Sequence, residues 1–134
     1  MQFPTFKHPM TGTAIPVGAL KTDESCGVGE FSDLIPFADF CKKANIDLIQ
    51  LLPVNDTGTD SSPYNALSAF ALHPLYIRLQ ELPEAKAFGK EISVLRGNYN
   101  ENKHFNYPEV REEKLRLLRI IFTKMKRKFS RTLH

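Results

Sequence analysis

The sequence predicts an α/β fold organised around a parallel βαβ unit, and three observations predict it. Two short apolar runs, residues 13–20 and 47–54, flank a stretch in which apolar residues return at helical spacing. The joins are short enough for one unit, and such a crossover is right-handed almost without exception. A long loop of turn-forming residues then leaves the second run, at the end of the strand where α/β folds carry their ligand sites.

The first run, Thr13-Ala14-Ile15-Pro16-Val17-Gly18-Ala19-Leu20, reads as a strand. Pro16 favours an edge or a strand start, because it cannot donate to a ladder. A polar loop, residues 21–30, follows, with Gly27 and Gly29 available for a tight reversal. A helix is expected from Ser32 to Ala44, with Ser32 as its cap and Asp33 in its first turn. Leu34, Phe37, Ala38, Cys41 and Ala44 supply one apolar face, and Pro36 falls early enough for its missing N–H to cost little. The second run, Asp47-Leu48-Ile49-Gln50-Leu51-Leu52-Pro53-Val54, reads as a strand covered on both faces.

Beyond it, residues 55–65 are almost all turn formers or small hydrogen-bonding residues. Residues 66–82 are apolar and are expected to pack on the sheet as short irregular turns, and residues 83–107 show no period and read as an excursion. A last helix is expected over about 108–129, with Pro108 at its first position. Val110, Leu118, Ile121, Phe122, Met125 and Phe129 line its apolar face, and the basic residues take the other.

Composition narrows the class. With 134 residues, 42% apolar and 25% charged, the chain suits one ordinary globular domain. There is no apolar run long enough to span a membrane, and the opening Met1-Gln2-Phe3-Pro4-Thr5-Phe6-Lys7-His8-Pro9 does not read as a secretory signal. Cys26 and Cys41 lack metal-site spacing and are expected to be reduced thiols of a cytoplasmic protein. Residues 111–134 carry nine basic side chains against Glu112 and Glu113, whereas the remainder holds 9 basic and 13 acidic groups. A solvated helix face explains that asymmetry; no nucleic-acid motif or interleaved aromatics accompany it, and neither nucleic acid nor membrane is expected as a partner.

The most specific signal is the stretch Leu52-Pro53-Val54-Asn55-Asp56-Thr57-Gly58-Thr59-Asp60-Ser61-Ser62-Pro63-Tyr64-Asn65, continued by Ala66-Leu67-Ser68-Ala69-Phe70-Ala71-Leu72-His73-Pro74-Leu75-Tyr76-Ile77. It resembles the signature of the 4-alpha-glucanotransferases, the amylomaltase and disproportionating-enzyme family. Gly18-Ala19-Leu20, Cys26-Gly27-Val28-Gly29-Glu30-Phe31 and Ser32-Asp33-Leu34 resemble the opening of the same family. The resemblance covers roughly residues 13–82, and the final helix fits it more loosely.

That resemblance implies the N-terminal part of a (β/α)₈ TIM-type barrel and a retaining transfer of 1,4-alpha-glucan segments between maltodextrins. Such chemistry uses an Asp nucleophile and a Glu acid/base about 5 Å apart, with no metal or organic cofactor. In the family these carboxylates lie on later strands, and a complete barrel needs about 250 residues. This chain is therefore expected to be an incomplete barrel without catalytic residues. By the same resemblance Tyr64 matches an aromatic beside the sugar at the cleaved bond, and Ser62 and Asn65 are candidate partners for sugar hydroxyls. Thr59 stands where many members carry a tyrosine, so the secondary glucan contact of that tyrosine does not carry over.

Other residues have simpler readings. Asp56 and Asp60, in a loop of Thr, Gly and Ser, are expected to close Asx turns rather than to form an acid/base pair. His73 before Pro74 reads as a packed or turn histidine, Cys41 as core, and Cys26 as exposed in its Gly-flanked loop. Two non-catalytic alternatives stay open, a maltodextrin-binding module and an adaptor docking an acidic partner. An unpaired parallel sheet is further expected to favour self-association.

Overall fold

The computed structural model describes residues 9–102 and 104–132, with side chains through residue 126. The expectations for residues 1–8, and for the side chains of Arg127, Lys128, Phe129 and Arg131, lie outside the described residues. The regular elements are β1 (Gly12–Ile15), α1 (Leu34–Lys43), β2 (Leu48–Leu51), α2 (Gly89–Tyr99) and α3 (Tyr107–Thr132). Short 3₁₀ turns join them at Val17–Ala19, Phe31–Asp33, Pro74–Tyr76, Leu79–Glu81 and Ala85–Phe88.

The βαβ unit is present. β1 and β2 pair in parallel, Gly12 opposite Leu48 through Ile15 opposite Leu51. The ladder is extended at both ends by Asp47 N–H to Thr11 C=O at 2.8 Å and Leu52 N–H to Ile15 C=O at 3.0 Å. β1 is shorter than its apolar run, because Pro16 offers no donor and the chain turns into the Val17–Ala19 3₁₀ turn. Ser32 does not cap α1. It sits in the preceding 3₁₀ turn, and its hydroxyl donates to Glu81 Oε2 at 2.7 Å. Asn45, in the left-handed region at φ 56°, ends the helix, with Ile46 N–H donating to Cys41 C=O.

The expectation that β2 is covered on both faces does not hold for the described chain. Leu48 is 52% exposed and Leu51 39%. A two-stranded sheet of four-residue strands is too small to organise a core by itself. The core lies instead between α2, α3 and the 3₁₀ turns, where Cys26, Leu79, Ala85, Ile92, Leu95, Leu117 and Ile121 pack together. A second cluster, Val28, Leu75, Tyr107 and Val110, joins α3 to the turn at Pro74–Tyr76.

Three further readings need correction. Residues 83–107 are not a structureless excursion, since they hold α2, which buries Ile92 and Leu95. Gly89, Gly97 and Asn98 hid that helix by lowering its propensity. The apolar run 66–82 forms short turns but does not pack on the sheet: Leu75 and Leu79 are buried in the helical clusters, and Leu67 and Phe70 are largely exposed. On α3 the buried stripe is Val110, Lys114, Leu117 and Ile121, so one basic residue lies on the inner face while Phe122 points outward.

Candidate functional site

At the carboxyl ends of β1 and β2 the chain encloses a cleft of about 480 Å³. Pro16, Gly18 and Ala19 after β1 and Leu52 after β2 form its floor, with Val28 and Leu75 behind. Four aromatic residues line it, Tyr64, Tyr76, Phe105 and Tyr107, together with Ser61 and Pro63. The floor is closely packed: Gly29 N–H donates to Gly18 C=O at 2.9 Å, and a Cβ on Gly29 would stand 2.1 Å from the Val17 carbonyl oxygen. Glycine is required there by space, and at Gly27, φ 79°, by backbone conformation as well.

The loop beside the cleft is shaped by its own side chains. Asp56 Oδ1 accepts from Gly58 N–H at 2.9 Å, and Asp60 Oδ1 accepts from Ser62 N–H at 2.8 Å, the two Asx turns expected from the sequence. Asn65 Nδ2 donates to Asp60 Oδ2 at 2.6 Å, and Tyr64 N–H contacts Ser62 Oγ at 3.4 Å. The neck is closed by an antiparallel bridge between Asn55 and Leu72 and by His73 N–H donating to Val54 C=O at 2.9 Å.

Beneath the loop lies a buried polar group. His73 Nδ1 accepts from Leu75 N–H at 3.2 Å, which leaves Nε2–H to donate to Tyr107 Oη at 2.9 Å. The Tyr107 hydroxyl in turn donates to Gly58 C=O at 2.9 Å, and Thr57 Oγ1 lies 3.2 Å from Tyr107 Oη. Burial holds the His73 imidazole below its ordinary range, opposed by the Asp56 carboxylate and reinforced by Arg111 and Lys114. His73 is thus the packed turn histidine expected, and it acts in hydrogen bonding as a neutral ring.

Behind the cleft floor, three buried charges, Glu30, Asp33 and Lys114, are gathered with the partly exposed Arg78. Glu30 and Lys114 are both fully buried and ion-paired, Glu30 Oε2 accepts from Arg78 Nε at 2.9 Å, and Arg78 also pairs with Asp33. Asp33 further accepts from Thr22 Oγ1 at 2.7 Å, Ser25 Oγ at 2.8 Å and Glu30 N–H at 2.7 Å. Burial raises the Asp33 carboxyl, but these bonds outweigh it and hold the group below the usual range. Burial lowers the Lys114 ammonium against the pull of Glu30. Cys26, expected to be exposed, is buried at the edge of this group; burial and then the Glu30 charge push its thiol up to about 11. Cys41 is core as read.

Of the sequence-predicted residues, Tyr64 lines the cleft with 69% of its surface exposed, while Ser62 and Asn65 lie on the loop outside the cleft lining. Reading the sequence missed Tyr76, Phe105 and Tyr107. It also missed the charge group, although a signal was there. Lys114 falls four residues after Val110 and three before Leu117, on the apolar stripe. Among the described residues no group of three or more His, Cys, Asp or Glu could hold a metal ion, and no helix is long and apolar enough to cross a membrane.

A family model described as 4-alpha-glucanotransferase matches residues 15–134. The 4-alpha-glucanotransferase of Chlamydia caviae is 43% identical over 113 residues, 83% of this chain and 21% of that protein. That of Chlamydia pneumoniae is 39% identical over 118 residues, 87% of this chain and 22% of the relative. The crystal structure of amylomaltase from Corynebacterium glutamicum superposes with a TM-score of 0.76 at 23% identity, over 85% of this chain and 18% of that one, a likeness of fold. The chain spans about a fifth of the length of the curated relatives it matches.

Proposed function

The chain belongs to the 4-alpha-glucanotransferase family, and from that premise we propose that it supplies part of the maltodextrin-binding cleft of a retaining 4-alpha-glucanotransferase built on a (β/α)₈ barrel. The observation that carries this reading is the position of Tyr64. It stands on the rim of a cleft at the carboxyl ends of two parallel strands, where barrel enzymes carry their sites. An aromatic ring there offers an apolar plane to the C–H face of a sugar and keeps a hydroxyl for bonding. Ser62 and Asn65 are proposed to meet sugar hydroxyls from the same loop.

Retaining transfer needs a nucleophile and an acid/base about 5 Å apart and free to change protonation. Glu30 and Asp33 are committed to Lys114 and Arg78, and Asp56 and Asp60 close turns. Those four carboxylates hold structure, and the proposed contribution of this segment is to bind glucan rather than to cleave it. Titration calorimetry with maltoheptaose tests the reading: binding by the 134-residue chain that is abolished in Tyr64→Ala is expected. No heat from the unmodified chain would remove it. Release of glucose from maltotriose by the same chain would instead show that carboxylates within it perform the chemistry.

A further inference from the structure

We propose that Tyr107 is a positioning residue for the cleft: its hydroxyl holds the loop 55–65 at the place from which Tyr64 reaches the cleft rim. What the loop binds rests on the glucan reading above, but where the hydroxyl holds it does not.

The loop has little apolar anchorage. Thr57, Gly58 and His73 are buried, whereas Tyr64, Leu67, Phe70 and Leu72 are between 59% and 94% exposed. Its internal bonds, from Asp56, Asp60, Ser62 and Ser68, give it a shape without attaching it to anything. Among the described residues, its hydrogen-bonded tie to the helical core runs through Tyr107 Oη, which donates to the Gly58 carbonyl of the loop and accepts from His73 Nε2–H at its neck. Gly58 is itself fixed, at φ 62°, with Leu67 Cδ1 2.6 Å from where a Cβ would stand.

The other end of the tie is firm. Tyr107 is the first residue of α3, packed among Val28, Leu75 and Val110, and its ring lies edge-on to His73 and Phe105. Two turns along the same helix, Lys114 is pinned on Glu30. A rigid helix end thus presents one hydroxyl to a loop that is otherwise mostly solvated. Loss of that oxygen leaves the Gly58 carbonyl and the His73 N–H without their buried partner, and buried polar groups do not stay unpaired when a loop can move to water.

Tyr107→Phe keeps the ring and its packing and removes only the oxygen, so it isolates this effect. Amide hydrogen exchange on the full chain is the readout. Exchange of peptides spanning residues 55–72 is expected to rise at least about fivefold, the effect of one net hydrogen bond where two are lost, with peptides of α2 unchanged. Maltoheptaose affinity is expected to fall by a similar factor, and an affinity loss confined to a loosened loop is not what general destabilisation produces. Unchanged loop exchange, or a rise shared equally by α2, overturns the proposal. A chain that binds no maltoheptaose at all ends the glucan reading, while loop exchange still decides the role of Tyr107.

Discussion

Lys114 on α3 places its ammonium on the carboxylate of Glu30, 84 positions earlier, with both side chains fully shielded from water. With Arg78 and Asp33 the group holds two positive and two negative charges, and each carboxylate accepts further hydrogen bonds. Desolvating three of these ions is tolerable because the charges balance, their bonding capacity is largely met, and Arg78 keeps some contact with water. The arrangement ties the cleft floor to α3, since Glu30 follows directly on the Val28–Gly29 segment that packs beneath Gly18.

Removing one member should therefore cost far more than a surface ion pair. Lys114→Met leaves Glu30 with Arg78 but without its buried counter-ion, and a loss of about 3–5 kcal/mol is expected. Urea unfolding followed by circular dichroism measures it. A loss comparable to that of Arg116→Met, which breaks an exposed pair with Glu113, would show that the buried pair contributes nothing special.

Glycines at two kinds of position should respond in opposite directions to alanine. Gly29→Ala forces a Cβ against the backbone of Val17 and Leu20 and is expected to destabilise by about 2 kcal/mol or more. Gly97→Ala, inside α2 with open space around it, is expected to stabilise by about 0.5–1 kcal/mol. Thermal melts of the two variants decide the matter, and equal shifts would contradict the packing described for the cleft floor.

His73 makes stability sensitive to mild acid. Its native pKa lies below the ordinary 6.5, so above that value both folded and unfolded chains are neutral here and the full contribution is present. As pH falls through 6.5 the unfolded state takes up a proton that the folded state resists, and stability declines until the native value is reached. The slope approaches at most about 1.4 kcal/mol per pH unit. Melting temperatures between pH 7 and 5 should fall more steeply for the unmodified chain than for His73→Asn. Parallel curves would assign the acid sensitivity elsewhere.

Self-association is expected from the open sheet. Each strand of the β1–β2 pair has one edge without a partner strand among the described residues, and Phe40, Leu48, Leu67 and Phe70 expose large apolar surfaces. Sedimentation coefficients should rise with protein concentration, and the rise should shrink in the double variant Leu67→Ser, Phe70→Ser. A sharp, concentration-independent monomer would set this expectation aside.

The helix at residues 34–43 could be read because its apolar residues recur with the period of the helix itself, and the Asx turns of Asp56 and Asp60 because each closes two residues on. Periods and turns are local, so the chain declares them without knowing its neighbours. The Ser62-Pro63-Tyr64 signature likewise pointed to the family through an unbroken run of residues. Harder features depended on distant parts. α2 carries two glycines and weak amphipathicity, and it is a helix because Ile92 and Leu95 are buried against Leu117 and Ile121.

What the sequence by itself determined was the βαβ unit, the turn chemistry of the loop after β2, and the family. Only the tertiary structure decided that the core lies under α2 and α3 rather than on the sheet. It also decided that Lys114 turns inward, that Cys26 is sealed, and that the Tyr107 hydroxyl meets the loop bearing Tyr64 at the Gly58 carbonyl. The physical reason is the same in each case. A local pattern reports backbone conformation, whereas the burial of a charge or a hydroxyl is settled by partners brought to it from far along the chain.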